Sequence, residues 1–100
     1  MITVQSTRTF DKWILRLKDF EARNRINARI SRLMYGYAGD EKLVGQGVRE
    51  LRIHFGPGYR LYYVKRGDRL ILLLCGGDKS SQDSDIRTAI ELAKGEFQDG

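Results

Sequence analysis

The stretch "VRELRIHFGPGYRLYYVKRGDRLILLLC", residues 48–75, leaves the chain few ways to fold. Two glycine turns, "GPG" at 56–58 and "GD" at 67 and 68, cut it into three pieces of strand length. In the first piece Leu51, Ile53 and Phe55 point one way while Glu50, Arg52 and His54 point the other. In the second, Arg60, Tyr62 and Val64 share one face and Tyr59, Leu61 and Tyr63 the opposite one. The third is apolar at every position from Leu70 to Cys75, the pattern of a strand covered on both sides. It is expected at the centre of a three-stranded antiparallel meander.

Helical periodicity brackets this meander. "MITVQ" reads as a short first strand, with Ile2 and Val4 on one face. Thr9 is the expected cap of a helix carrying the stripe Phe10, Trp13, Ile14 and Leu17. After a bend near Asp19 to Glu21, a second helix places Ala22, Ile26, Ile30, Leu33 and Met34 at helical steps, with Gly36 as its terminator. Residues 36–47 read as a loop with a short extended piece at 42–44. Ser80-x-x-Asp83, with Asp85, marks the start of a last helix whose apolar face is Ile86, Ala89, Ile90, Ala93 and Phe97. The result is one α+β domain over residues 1–100: strand, helix hairpin, three-stranded antiparallel meander, C-terminal helix.

A helix hairpin covers only one face of such a sheet, so the other is expected to stay partly open. Arg52, His54, Arg60 and Tyr62 fall on that face, and Lys79 and Gln82 follow directly after the apolar strand. Gly76 and Gly77 read as the turn that lets Lys79 overhang it. The segment is not a phosphate-binding P-loop, because Asp78 rather than glycine precedes Lys79. The formal net charge of +5 suits a polyanionic or acidic partner. Arg25, Arg29 and Arg32 line the outer side of the second helix, where they are either a solvated face or a contact for RNA or an acidic peptide. One cysteine and one histidine cannot make a disulfide or a structural zinc site. No apolar run is long enough to span a bilayer, and a reducing cytoplasm is the expected setting.

Taken together, "FDKWILRLKD", "RINARISRL", "GVRELRI", "GPGYRLYYV" and "LILLLCGGDKSSQDSDI" resemble the addiction-module killer proteins. These are the HigB-like branch of the RelE/ParE toxin superfamily, and the likeness runs from about Thr9 to Leu92. The resemblance implies a RelE-like fold and the toxin of a type II toxin–antitoxin module. Such toxins are typically ribosome-dependent endoribonucleases that cut mRNA, restrained by a small antitoxin, here expected to be a helix-turn-helix protein encoded nearby. A heteromeric toxin–antitoxin complex follows, with no membrane partner.

RNA brings its own nucleophile, the 2′-hydroxyl, so the expected cleavage needs no cofactor and no metal. Guanidinium groups suit the phosphorane. The resemblance puts Arg60 in that role, with Arg52 second and Lys79 near the leaving group or phosphate. His54 is the candidate proton carrier. Tyr62 and Gln82, together with Arg25, Arg29 and Arg32, are candidates for RNA binding. The alternative on the same fold is a non-enzymatic ParE-type toxin that blocks DNA gyrase.

Overall fold

A computed structural model describes residues 1–98. Five strands form one mixed sheet: β1 (Thr3–Ser6), β2 (Glu41–Gly45), β3 (Val48–Ile53), β4 (Tyr59–Arg66) and β5 (Leu70–Gly77), in the order β1-β5-β4-β3-β2. The meander β3-β4-β5 is antiparallel, as the alternation requires, and its register pairs Glu50 with Tyr62 and Arg52 with Arg60. Two strands extend it. The piece at 42–44 lengthens into β2 at one edge, and β1 pairs in parallel with β5 at the other. The apolar β5 is therefore an interior strand, with β4 rather than β5 at the centre.

The helices are α1 (Arg8–Arg16), α2 (Phe20–Met34) and α3 (Gln82–Gln98), the last preceded by a 3-10 turn at Lys79–Ser81. α1 and α2 cover one face, where Phe10, Ile26 and Leu33 bury Leu51, Ile53, Leu61, Tyr63, Ile71 and Leu73. The opposite face is not open. α3 lies on it, and Ala89 and Ala93 close over Val48, Tyr62, Val64, Leu72, Leu74 and Cys75. Both sides of the alternation needed burial, because the face carrying Arg60 also carries Tyr62 and Val64. Phe97, expected on the same helix face, has its side chain outside the described residues.

Two local features fix how these layers meet. Tyr62 pairs with Cys75 but Tyr63 with Leu73, so Leu74 is an extra residue in β5 and forms a bulge. The hydroxyl of Thr7 donates to the Leu74 carbonyl at 2.5 Å and accepts from the Phe10 amide at 3.1 Å. Thr7, not Thr9, is thus the cap of α1, and one side chain serves both the helix start and the bulge. Gly76 and Gly77 do not turn the chain. They sit inside β5, opposite Leu61 and Arg60. A Cβ on Gly76 would overlap the Trp13 ring, and one on Gly77 would overlap the Asp85 carboxylate. The glycines bring α1 and α3 close to the strand backbone.

Candidate functional site

Glu50 is the centre of the most unusual cluster in the molecule. It is a carboxylate in the middle of a strand, and none of it reaches solvent. A charge in that position must be matched by several donors. Its Oε2 accepts from the Tyr62 hydroxyl at 3.0 Å and from Gln82 Nε2 at 2.9 Å. Arg60 Nε stands 3.6 Å from the same oxygen, and Arg52 Nε 3.9 Å from Oε1. These last two are ion pairs without hydrogen bonds, so both guanidiniums are held by charge and neither is saturated by the carboxylate. Arg60 Nη1 also donates to the Gly58 carbonyl at 3.2 Å, which pins the side chain against the glycine turn.

Tyr62 belongs to this cluster as a buried support. The sequence places it on an open face, but α3 covers it completely. Burial first, and then the neighbouring Glu50, drives its phenol well above the ordinary value, so it stays protonated and donates.

α3 delivers the remaining members. Its approach is capped by Asp78, two residues earlier than the expected Ser80: the carboxylate accepts from the Ser80 amide at 2.8 Å and from the Ser80 hydroxyl at 2.5 Å. These bonds hold the Asp78 carboxyl below its usual range. The 3-10 turn then presents Lys79, exposed, on the same side of Gly58 as Arg60. A cleft of about 320 Å³ opens here, with Lys79, Gln82 and Arg87 in its wall. Below it, Ser81 Oγ donates to Asp85 Oδ2 at 2.5 Å, while burial pushes the Asp85 carboxyl up.

His54 and the arginine stripe form a second group. His54 is expected beside Arg60, yet its Nε2 lies 2.5 Å from Asp40 Oδ2 and its ring is largely exposed. It lines a groove of about 290 Å³ with Arg25, Arg29 and Arg32 of α2. The three arginines are not one uniform solvated face. Arg29 donates to the carbonyls of Arg52 at 2.7 Å and Ala38 at 2.9 Å, and burial, with Arg32 alongside, lowers its pKa. Arg25 lies 4.4 Å over the Phe55 ring and pairs with Glu21 at 3.2 Å.

The structure therefore unites Arg52, Arg60, Gln82 and Tyr62 around a residue that sequence reasoning did not single out, with Lys79 at the edge. Glu50 reads in sequence as one more polar side chain on an alternating strand. The available signal was its position between Val48 and Arg52, on the same face as Tyr62 and Val64. Chemically, the cluster offers a pair of guanidiniums held by a buried carboxylate and, beside Gly58, an exposed ammonium, which suits an oxyanion or phosphate. Among the described residues, no group of three or more His, Cys, Asp and Glu could hold a metal ion.

Residues 13–98 match the family model described as Phage derived protein Gp49-like (DUF891). An uncharacterized protein of Haemophilus influenzae is 50% identical over 93 residues, covering 93% of this chain and 94% of its own length. The match spans every member of the Glu50 cluster and the arginine groove. The chain belongs to the phage-derived Gp49-like family, a family of RelE/HigB-like toxins associated with toxin–antitoxin modules.

Proposed function

We propose that the protein is the toxin of a type II toxin–antitoxin module and acts as a metal-independent, ribosome-dependent mRNA endoribonuclease. The observation that carries this reading is the Arg60–Arg52 pair, positioned by a fully buried carboxylate, with Lys79 and Arg60 meeting beside Gly58. The 2′-oxygen attacks the adjacent phosphorus and gives up its proton to water; the P–O5′ bond breaks, the leaving 5′-oxygen takes up a proton from water, and in between the phosphorane oxygens carry an extra negative charge. Arg60 is pinned by Gly58 and Glu50 before substrate arrives, so its charge stabilises that state without reorganisation. Lys79, a mobile point charge on the 3-10 turn, neutralises the phosphate on the leaving-group side. Glu50 is sealed from solvent and already accepts two hydrogen bonds on Oε2, which makes it the group that aims the guanidiniums. Orientation of the mRNA by the ribosome supplies the remaining rate.

Such an activity has to be restrained. The partner is a small antitoxin encoded nearby, of helix-turn-helix type, in a heteromeric complex with the toxin, and the working site is the cytoplasm. One observation favours the non-enzymatic, gyrase-blocking alternative: the His54 ring is committed to Asp40, away from Glu50 and Arg60. Induction of the toxin with protein and DNA synthesis followed separately decides between them. Translation should fall first, with mRNA fragments cut on programmed ribosomes. Early loss of replication with intact mRNA would overturn the nuclease reading.

A further inference from the structure

We propose that the groove between α2 and the end of β3 is a second seat for the RNA backbone, continuous with the Arg60 site, holding nucleotides that flank the scissile bond. This rests on the nuclease reading above. The groove is lined by Arg25, Ala28, Arg29, Arg32, Ile53 and His54. Two of its three guanidiniums are fixed in advance: Arg29 by two backbone carbonyls, Arg25 by the Phe55 ring beneath it. Ordering them costs little when an anion arrives. The nearest acids offset only part of the charge. Asp40 is shared between Arg52 at 3.4 Å and His54 at 2.5 Å, and Glu21 faces Arg25 alone.

Two further observations select a single-stranded nucleic acid over an acidic peptide. Tyr35 and Tyr37 are 67% and 70% exposed, and their backbone amides both donate to the Arg32 carbonyl, at 3.0 and 2.9 Å. Exposed rings one turn beyond a cationic groove are what unpaired bases stack on. The groove also shares a residue with the first site. The Arg52 carbonyl receives Arg29, while the Arg52 side chain faces Glu50 and Asp40. A strand leaving Arg60 thus reaches α2 around the end of β3, past Arg52 and His54 and the Asp40 carboxylate that both of them face.

The test is fluorescence anisotropy with labelled, non-cleavable 2′-O-methyl RNA, a tetramer and a dodecamer, across a salt series. Arg25→Gln with Arg32→Gln, both on the surface and checked for folding by circular dichroism, should weaken dodecamer binding roughly tenfold and flatten the salt slope by about 1.4, two phosphate contacts' worth. The tetramer, short enough to occupy the Arg60 site alone, should bind the variant as it binds wild type. Tyr35→Ala with Tyr37→Ala should lower dodecamer affinity at unchanged slope. Unchanged dodecamer affinity and slope in the arginine variant would overturn the proposal. So would tighter capture of a decaglutamate peptide than of RNA, lost in the same variant, because the groove would then serve a protein partner. Cleavage on programmed ribosomes is measured in parallel on wild type. Cleavage with unchanged groove binding refutes the groove alone, and absence of cleavage refutes the nuclease reading and the proposal with it.

Discussion

The Tyr62 hydroxyl donates to Glu50 Oε2 at 3.0 Å across the β3–β4 pair, and neither side chain reaches solvent. Tyr62→Phe removes one of the donors that compensate a buried charge. It should cost about 1–3 kcal/mol of stability, a fall of some 4–8 °C in Tm per kcal/mol in a domain of this size. Glu50→Ala strands two guanidiniums and should cost about 3–5 kcal/mol. A double-mutant cycle measured by urea unfolding should give non-additive losses for Tyr62→Phe and Glu50→Gln; additive losses would mean the contact is not energetic.

On the proposed nuclease reading, Arg60→Ala should slow mRNA cleavage on programmed ribosomes by about a hundredfold or more, since a preorganised charge donor supplies about 3 kcal/mol of transition-state stabilisation. It should also lower stability, because the guanidinium is one of the charges facing Glu50. Lys79→Ala should be milder in activity and neutral in stability, as its side chain is exposed on the 3-10 turn. Equal or reversed order in kcat would move Lys79 to the centre of the chemistry.

Glycine substitutions should split by location. Gly77→Ala drives a methyl into the Asp85 carboxylate and should cost about 1–3 kcal/mol, the usual range for overpacking. Gly95→Ala meets nothing within 4 Å in α3 and should gain about 0.5–1 kcal/mol from helix propensity. Thermal melts of the two variants check the pair.

Asp85 gives stability a definite pH dependence. Burial raises its folded pKa above the ordinary 3.8, so the native state holds this proton more tightly than the unfolded chain does. Its contribution is fully present below that ordinary value and is lost as pH rises through the folded one. Asp85→Asn keeps an acceptor for Ser81 and should be more stable than wild type at neutral pH, with the advantage vanishing on acidification. A pH series of denaturation midpoints that stays parallel for the two proteins would refute this.

Cys75 should be inert in the native state. Burial, and then Asp85, pushes its thiol up to about 12, and the side chain lies under α3. Alkylation by iodoacetamide at mildly alkaline pH, followed by mass spectrometry, should track the unfolding curve in denaturant.

The meander was legible because each of its turns carries glycine and each strand alternates or is wholly apolar. The covered face was not. Period-two alternation distinguishes the two sides of a strand but does not say whether solvent or a helix lies on the polar one. Glu50 and Tyr62 therefore read as exposed, although Ile86, Ala89, Ile90 and Ala93 needed a partner surface and only that face could supply it. Gly76 and Gly77 illustrate the same limit, since paired glycines read as a turn while their missing side chains here admit Trp13 and Asp85. The backbone partners of Arg29 were not readable either: its hydrogen bonds go to the carbonyls of Ala38 and Arg52, and no residue-type pattern encodes these. The cationic residues were readable as a set, but their division between the Glu50 cluster and the α2 groove depends on the partners Glu50 and Asp40.

β1 pairs with β5 alone, and Gln82 of α3 reaches back to Glu50 of β3. On a translating ribosome the first strand must therefore wait for residues 70–73 before it has a partner. The arginine pair must wait longer, until the start of α3 emerges. Most of the polypeptide is made before the arginine pair is assembled, so on the proposed nuclease reading a nascent chain spares the mRNA of the ribosome that is producing it, and cleavage begins only with a released, folded molecule.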